Sequence, residues 1–216
     1  MIRHVLAPAV PSAARSLGVP LALPSLAGAV LSFDDGPHPA GTPAVMEVLA
    51  AAGAPAMFFL IGEQVARRPS LAAELLAAGH TVALHGHRHR LQLRLSAAQV
   101  ADDLRRGAAA IEDATGAGVS WHRPPYGVYS AAGLAGARAA GLQPLLWSRW
   151  GKDWRRFTSP ARIAARATTA VARGDVILLH DADFYSAKRS HERTAQALPL
   201  IVSELARREI ATVLPV

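Results

Sequence analysis

The chain has 216 residues, enough for one domain with a short extension and too few for two full domains. Its hydrophobic share of 51% against 18% charged residues excludes a disordered or collagen-like chain. It has no cysteine, which excludes disulfides, thiolate metal sites and cysteine nucleophiles, and its net charge of +7 is carried almost wholly by arginine, Lys152 and Lys188 being the only lysines.

Residues 1–28 read as an N-terminal extension without an assigned role. Arg3 and His4 before Val5–Ala14 imitate a short signal peptide, but Pro8 and Pro11 break its apolar run. The uncharged stretch from Ser16 to Phe33 is interrupted by Pro20 and Pro24, so no membrane span is expected. From residue 29 onward two periods alternate within what is expected to be a single domain, 29–216.

Seven short runs rich in Val, Leu, Ile and Phe read as buried strands: Ala29–Asp35, Ala56–Ile61, Thr81–His85, Ser120–Arg123, Gln143–Ser148, Asp175–His180 and Ala211–Leu214. Between them lie alanine-rich helical segments. Thr42 is the expected cap of the first, with Pro43 inside it and Gly53 after its end; Ser70 caps the next, closed by Gly79. Ser96 and Gln99 have capping-box spacing and open a helix to Gly116. Ser130 to Gly141, Ser159-Pro160 to Gly174, and Thr194 to Glu209 complete the series. Strand and helix in turn mean parallel strands joined by crossover helices, in a closed barrel or an open doubly wound sheet.

In either arrangement the loops at the carboxyl ends of the strands share one face. Asp34 and Asp35, then His85, His87 and His89, then Arg123 to Gly127, then Asp153 and Trp154, and finally His180 and Asp181 all follow strands and converge there. Two imidazoles and a carboxylate bind a divalent ion while leaving positions open for water and substrate. In a helical or tightly turned segment His85 and His89 face one way and His87 another; in an extended one all three share a face. Gly86 favours a bend, so His85 and His89 are the expected pair. Successive residues leaving a strand point to opposite sides, so one of Asp34 and Asp35 is expected to bind the ion and the other to take a proton. His180 leaves the apolar run Val176–Leu179, and Asp153 offers it a partner that a general acid needs. Arg123, fixed beside Pro124 and Pro125, is placed to hold Asp34 ionised. A run of Arg149, Lys152, Arg155, Arg156, Arg162, Arg166 and Arg173, opposed only by Asp153, reads as a solvated face, with an anionic partner as the alternative.

These segments resemble the motifs of the polysaccharide deacetylases, carbohydrate esterase family four, also called the NodB homology family. Ser32-Phe33-Asp34-Asp35-Gly36-Pro37 is similar to the first motif, His85-Gly86-His87-Arg88-His89 to the second, and Arg123-Pro124-Pro125-Tyr126-Gly127 to the third. Asp153-Trp154 resembles the end of the fourth and Leu178-Leu179-His180-Asp181 the fifth, all in family order. The resemblance implies a distorted (β/α)7 barrel of the α/β class. It also implies a metal, zinc or alternatively cobalt, held by Asp35, His85 and His89, with Asp34 as general base and His180 as general acid. Arg123 would then pair with Asp34, Asp153 would orient His180, and the Tyr126 N–H would face the oxyanion. Trp154 and Leu178, with Pro125, would receive the acetyl methyl. Two positions depart from the family: Trp150 stands where its fourth motif often has an Asp, and Gly86 where its second usually has Ser or Thr.

The function implied is hydrolysis of the N-acetyl group of a sugar in a peptidoglycan or chitin-like glycan, by a monomer without a nucleic-acid partner, outside the cytoplasm if the substrate is a wall polymer. The alternatives are an amidohydrolase acting on a small non-sugar amide and a glycan-binding module without turnover.

Overall fold

A computed structural model describes residues 11–215; residues 3–10 of the signal-like segment that ends at Ala14 lie outside the described residues. Seven parallel strands form one sheet in the order β5-β4-β3-β2-β1-β7-β6. They are β1 (Val30–Asp34), β2 (Ala56–Leu60), β3 (Thr81–Leu84), β4 (Trp121–His122), β5 (Gln143–Pro144), β6 (Arg149–Trp150) and β7 (Val176–His180). The first strand is interior, with Asp34 in register with Phe59 on one side and His180 on the other. Every residue of β1 and β2 is buried, as strands covered on both faces must be. Val30, Leu31 and Phe33 are fully inaccessible, worth roughly 1.5–3 kcal/mol each on burial.

Helices cover the outside: α1 (Pro11–Ser16), α2 (Gly41–Ala52), α3 (Gly62–Arg67), α4 (Pro69–Ala77), α5 (Ala97–Thr115), α6 (Ala131–Ala139), α7 (Pro160–Thr168) and α8 (Ser190–Arg207). The last of these packs between α2 and α7, and α5 packs against α3, α4 and α6. The Ser96–Gln99 capping box, the Ser130 and Ser159 caps and the left-handed Gly53 and Gly116 terminators stand where expected. Thr42 and Ser70 do not cap; both lie inside helices that begin at Gly41 and Pro69. Thr42 instead donates to the buried Asp181 carboxylate, and its own oxygen accepts from the His38 N–H. The last helix begins at Ser190, earlier than the Thr194 start expected, and α7 stops at Thr168, short of Gly174. The short α3 was not anticipated.

The strand count agrees only by compensation. Ala211–Leu214 makes one isolated bridge, Thr212 to Ala29, and adds no strand. Gln143–Ser148 is not one strand but the crossing from one sheet edge to the other. Leu145 N–H still bonds the His122 carbonyl beside β4, while Ser148 N–H bonds Val176 of β7. A four-residue span can join the two edges only if the sheet curls until they nearly meet. Leu145 and Leu146 are therefore as buried as strand residues although their carbonyls lack a ladder partner.

Two groups satisfy this seam. The fully buried Arg123 donates Nε to the Leu145 carbonyl (3.1 Å) and Nη2 to that of Leu146 (2.8 Å). The extension supplies the Pro20 carbonyl to Leu146 N–H, while Leu23 N–H bonds Gly174 and Ala22 bridges Asp175. Ala14 and Val19 reach the hydrophobic core, so residues 11–28 pack across the open side of the curl.

Candidate active site

Asp34 ends β1, and Asp35 follows it with φ 82°. That left-handed step defeats simple strand alternation: both carboxylates line one cavity of 270 Å³, not opposite sides of the strand. Their neighbours separate them. Asp34 Oδ1 accepts from Arg123 Nη1 at 2.7 Å, and the same nitrogen reaches Ser32 Oγ. Asp35 Oδ1 lies 3.5 Å from His85 Nε2 and 3.3 Å from His89 Nε2.

The histidines are delivered by a bend built from three sides. Gly86 has φ 86°, and a Cβ there would approach Asp103 Oδ2 to 2.8 Å, which accounts for glycine at this motif position. Asp103, reaching over from α5, accepts the backbone N–H groups of His87 and Arg88. The first N–H groups of α3, from Gly62 and Glu63, donate to the carbonyls of Gly86 and His87. Asp35, His85 and His89 thereby bring one ligand atom each within 4.8 Å of the others, and His87 is not among them.

The polarity of this group fits a cation. His85 Nδ1 lies 2.8 Å from the Arg123 carbonyl, which can only accept, so Nδ1 carries the proton and Nε2 presents a lone pair. That lone pair faces the carboxylate oxygens of Asp34 (3.7 Å) and Asp35. Asp35 Oδ1 is buried without a hydrogen-bond partner. A set of acceptors this dry needs a positive charge at its centre.

Across the cavity His180 ends β7. Its Nδ1 lies 2.8 Å from Asp153 Oδ1, while Asp153 Oδ2 accepts from His180 N–H and Thr194 Oγ1. Burial pulls His180 down, but Asp153, aided by Asp35 and Asp34, lifts it to about 10, so the imidazole is protonated at neutral pH. Asp181 next to it is pushed up to about 7 by burial, against the hydrogen bond from Thr42 and with Asp35 adding to the rise.

The walls are aromatic. Trp154, Leu178 and Tyr126 line the cavity as expected, joined by Trp147, Trp150, Tyr185 and Ser186, which the motifs did not single out as lining groups. Trp150 stacks on Trp154 with centroids 4.6 Å apart. Tyr126, at φ 61°, sets its ring edge against His89, and Tyr185 stacks face-on upon the same imidazole at 4.2 Å. Pro125 is buried and lies outside the lining; Arg123 and Asp153 also stand behind it. Tyr185 and Ser186 come from a loop whose path no local pattern dictates. Asp103 carries no signal either, since an Asp on an amphipathic helix reads as a solvated residue.

The family model for polysaccharide deacetylases matches residues 27–145. The chain belongs to the polysaccharide deacetylase family. It is 36% identical over 185 residues to a chitooligosaccharide deacetylase of Bradyrhizobium sp. (strain ANU 289), covering 82% of this chain and 84% of that protein. It is 32% identical over 180 residues to a peptidoglycan-N-acetylglucosamine deacetylase of Bacillus cereus, covering 82% and 81%. Its structure is similar to a family 4 carbohydrate esterase from Streptomyces lividans in complex with acetate, with a TM-score of 0.78, 29% identity, and coverage of 88% and 94%. This polysaccharide deacetylase is thus a hydrolase of the carbohydrate esterase family four class, with the curled seven-stranded barrel that the motifs implied. No helix among the described residues is long and apolar enough to cross a membrane.

Proposed function

We propose that the chain hydrolyses the N-acetyl group of an amino sugar within a glycan of the chitin or peptidoglycan type, releasing acetate and a free amine. The observation that carries this reading is the convergence of unpartnered acceptors on Asp35, His85 and His89, flanked by an arginine-held carboxylate and a protonated imidazole. One oxygen and two nitrogen donors suit a divalent ion, zinc first and cobalt as an alternative. When bound, such an ion lowers the pKa of water toward about 7 and acts as a Lewis acid.

The chain's own groups divide the remaining work. Asp34, its Oδ1 occupied by Arg123, has Oδ2 free to take the proton of the attacking water as the new C–O bond forms. The Tyr126 N–H donates to the carbonyl oxygen as negative charge collects there; loss of one such donor typically costs roughly a hundredfold or more. His180 gives its Nε2 proton to the amine nitrogen as the C–N bond breaks, and Asp153 positions it. Trp154 and Leu178 enclose the methyl, with Pro125 supporting from behind. Residues 29–216 make up the catalytic domain in this reading, acting as a monomer, and a wall-polymer substrate places the reaction outside the cytoplasm.

The test is acetate release from N-acetylglucosamine oligomers and from peptidoglycan strands by zinc- or cobalt-loaded protein. Release that disappears in His180→Asn while metal content is kept supports the reading. A folded, fully loaded protein that frees no acetate from either polymer overturns it.

A further inference from the structure

We propose that the basic rim at residues 152–156 binds a carboxylate on the glycan, making the substrate an acidic N-acetylated oligosaccharide; the inference rests on the deacetylase reading of this cavity and names its substrate class. The structure divides the cation run from Arg149 to Arg173. Arg149 turns onto Asp175 at 2.7 Å and bonds the Thr169 carbonyl; Arg166 and Arg173 donate to Thr158 and to the Glu209 carbonyl. Lys152, Arg155, Arg156 and Arg162 are left without a carboxylate partner, and Lys152 and Arg155 of these stand beside the cavity wall.

Two of these charges are tied to the cavity wall itself. Lys152 Nζ lies 5.4 Å from the centroid of Trp150 and Arg155 Cζ 5.9 Å from that of Trp154, and both rings line the catalytic cavity. A sugar stacked at that wall places its neighbour's substituents within reach of both cations. The loop is pinned where it stands: the Trp154 carbonyl accepts from Ala187 N–H and the Arg155 carbonyl from Arg193 Nη2. The one carboxylate in the stretch, Asp153, is wholly buried and spends both oxygens on His180 and Thr194. Among the described residues no carboxylate pairs with Lys152, Arg155 or Arg156, whereas Arg88, Arg90, Arg189 and Arg208 each pair with one.

Unpaired cations at a concave apolar mouth raise the local concentration of anionic ligands and select among them. A carboxylate on the sugar next to the acetylated one supplies the missing partner. Nucleic acid fits less well, because neutralising a phosphate backbone takes a stripe of free cations and Arg149, Arg166 and Arg173 of this run are already engaged.

The experiment compares two β-1,4-linked oligomers of equal length, one of N-acetylglucosamine alone and one in which alternate residues are N-acetylmuramic acid, whose lactyl group bears a carboxylate. Their kcat/KM values and, separately, their affinities are measured for wild type and R155Q/R156Q in low and high salt. The acidic-to-neutral ratio is expected to exceed one in wild type, to fall about three- to tenfold in the double variant, and to shrink similarly at high salt. R155E/R156E should invert it. A ratio that neither salt nor either variant moves, with the protein folded and turning over, overturns the rim assignment. A preference in affinity without turnover of either oligomer supports the rim and sinks the deacetylase reading. Tighter binding of single-stranded DNA than of the acidic oligomer overturns the proposal in favour of a nucleic-acid site.

Discussion

Two clusters in this molecule have the same composition and opposite character. Asp35, His85 and His89 form one; His38, Asp183 and His191 form the other, and each brings two imidazoles and a carboxylate within 4.8 Å. In the first, His85 Nδ1 faces a carbonyl and must donate, leaving Nε2 bare toward the carboxylates. In the second, His38 Nδ1 faces the N–H groups of Ala40 (3.2 Å) and Gly41 (2.8 Å) and must accept. Its proton therefore sits on Nε2, 3.4 Å from Asp183 Oδ1, where a metal would need a lone pair. Burial, with His191 close by, also lowers His38, which keeps it neutral. In the second cluster Nε2 of His38 turns a proton toward Asp183, whose Oδ2 already accepts from the Arg189 N–H at 2.6 Å, whereas the first is left short of a positive charge. In the proposed reading the backbone on the far side of each ring, not the residue types, decides which cluster would take an ion.

The largest effect that tests this contrast is loss of the ion. His85→Ala should leave the protein without bound zinc by elemental analysis and without turnover, while His38→Ala keeps one zinc per chain. Wild type saturating at two zinc ions per chain would break the comparison. Asp34→Asn should keep its zinc and lose about 10²- to 10⁴-fold in kcat, the usual worth of a general base; normal turnover in this variant would remove Asp34 from that role.

Next is Arg123, whose guanidinium joins the two halves of the argument by pairing Asp34 while satisfying the seam carbonyls. Arg123→Met leaves a buried carboxylate uncompensated and should cost about 3–5 kcal/mol in denaturant unfolding. A smaller loss follows for His38→Ala, which strands the two N–H groups its ring accepts, about 1–3 kcal/mol. If His38→Ala proved costlier than Arg123→Met, the seam would not depend on Arg123 as described.

Much of this site was legible in the sequence, because alternating strands and helices send every carboxyl-end loop to one face. His85, His89, Asp34, Asp35, Arg123, Asp153 and His180 meet there as that rule requires. What the pattern could not express was conformation at single residues. Alternation placed Asp34 and Asp35 on opposite sides; the positive φ of Asp35 put them on one. The run Gln143–Ser148 has the composition of a strand because it is buried, yet its carbonyls are satisfied by an arginine from elsewhere in the chain. Tyr185 reaches His89 from a loop held by Asp183 and the Trp154 carbonyl, contacts with no local signature.

The smallest effect separates the two sides of the catalytic cavity by pH. His180 binds its proton more tightly folded, at about 10, than its ordinary 6.5, first against burial and then through Asp153. The stabilisation is complete below the ordinary value and is lost as pH rises through the folded one. Asp181, an acid lifted from 3.8 to about 7, also makes stability fall with rising pH, but that loss is finished near neutrality. Between about pH 7.5 and 9.5 the slope of unfolding free energy in metal-free protein therefore belongs to His180. Urea titrations should find wild type losing stability across that window and Asp153→Asn nearly flat, since the group that lifts His180 is gone. A flat wild-type profile would mean that Asp153 does not hold the imidazole charged, and that His180 lacks the proton assigned to it for the leaving amine.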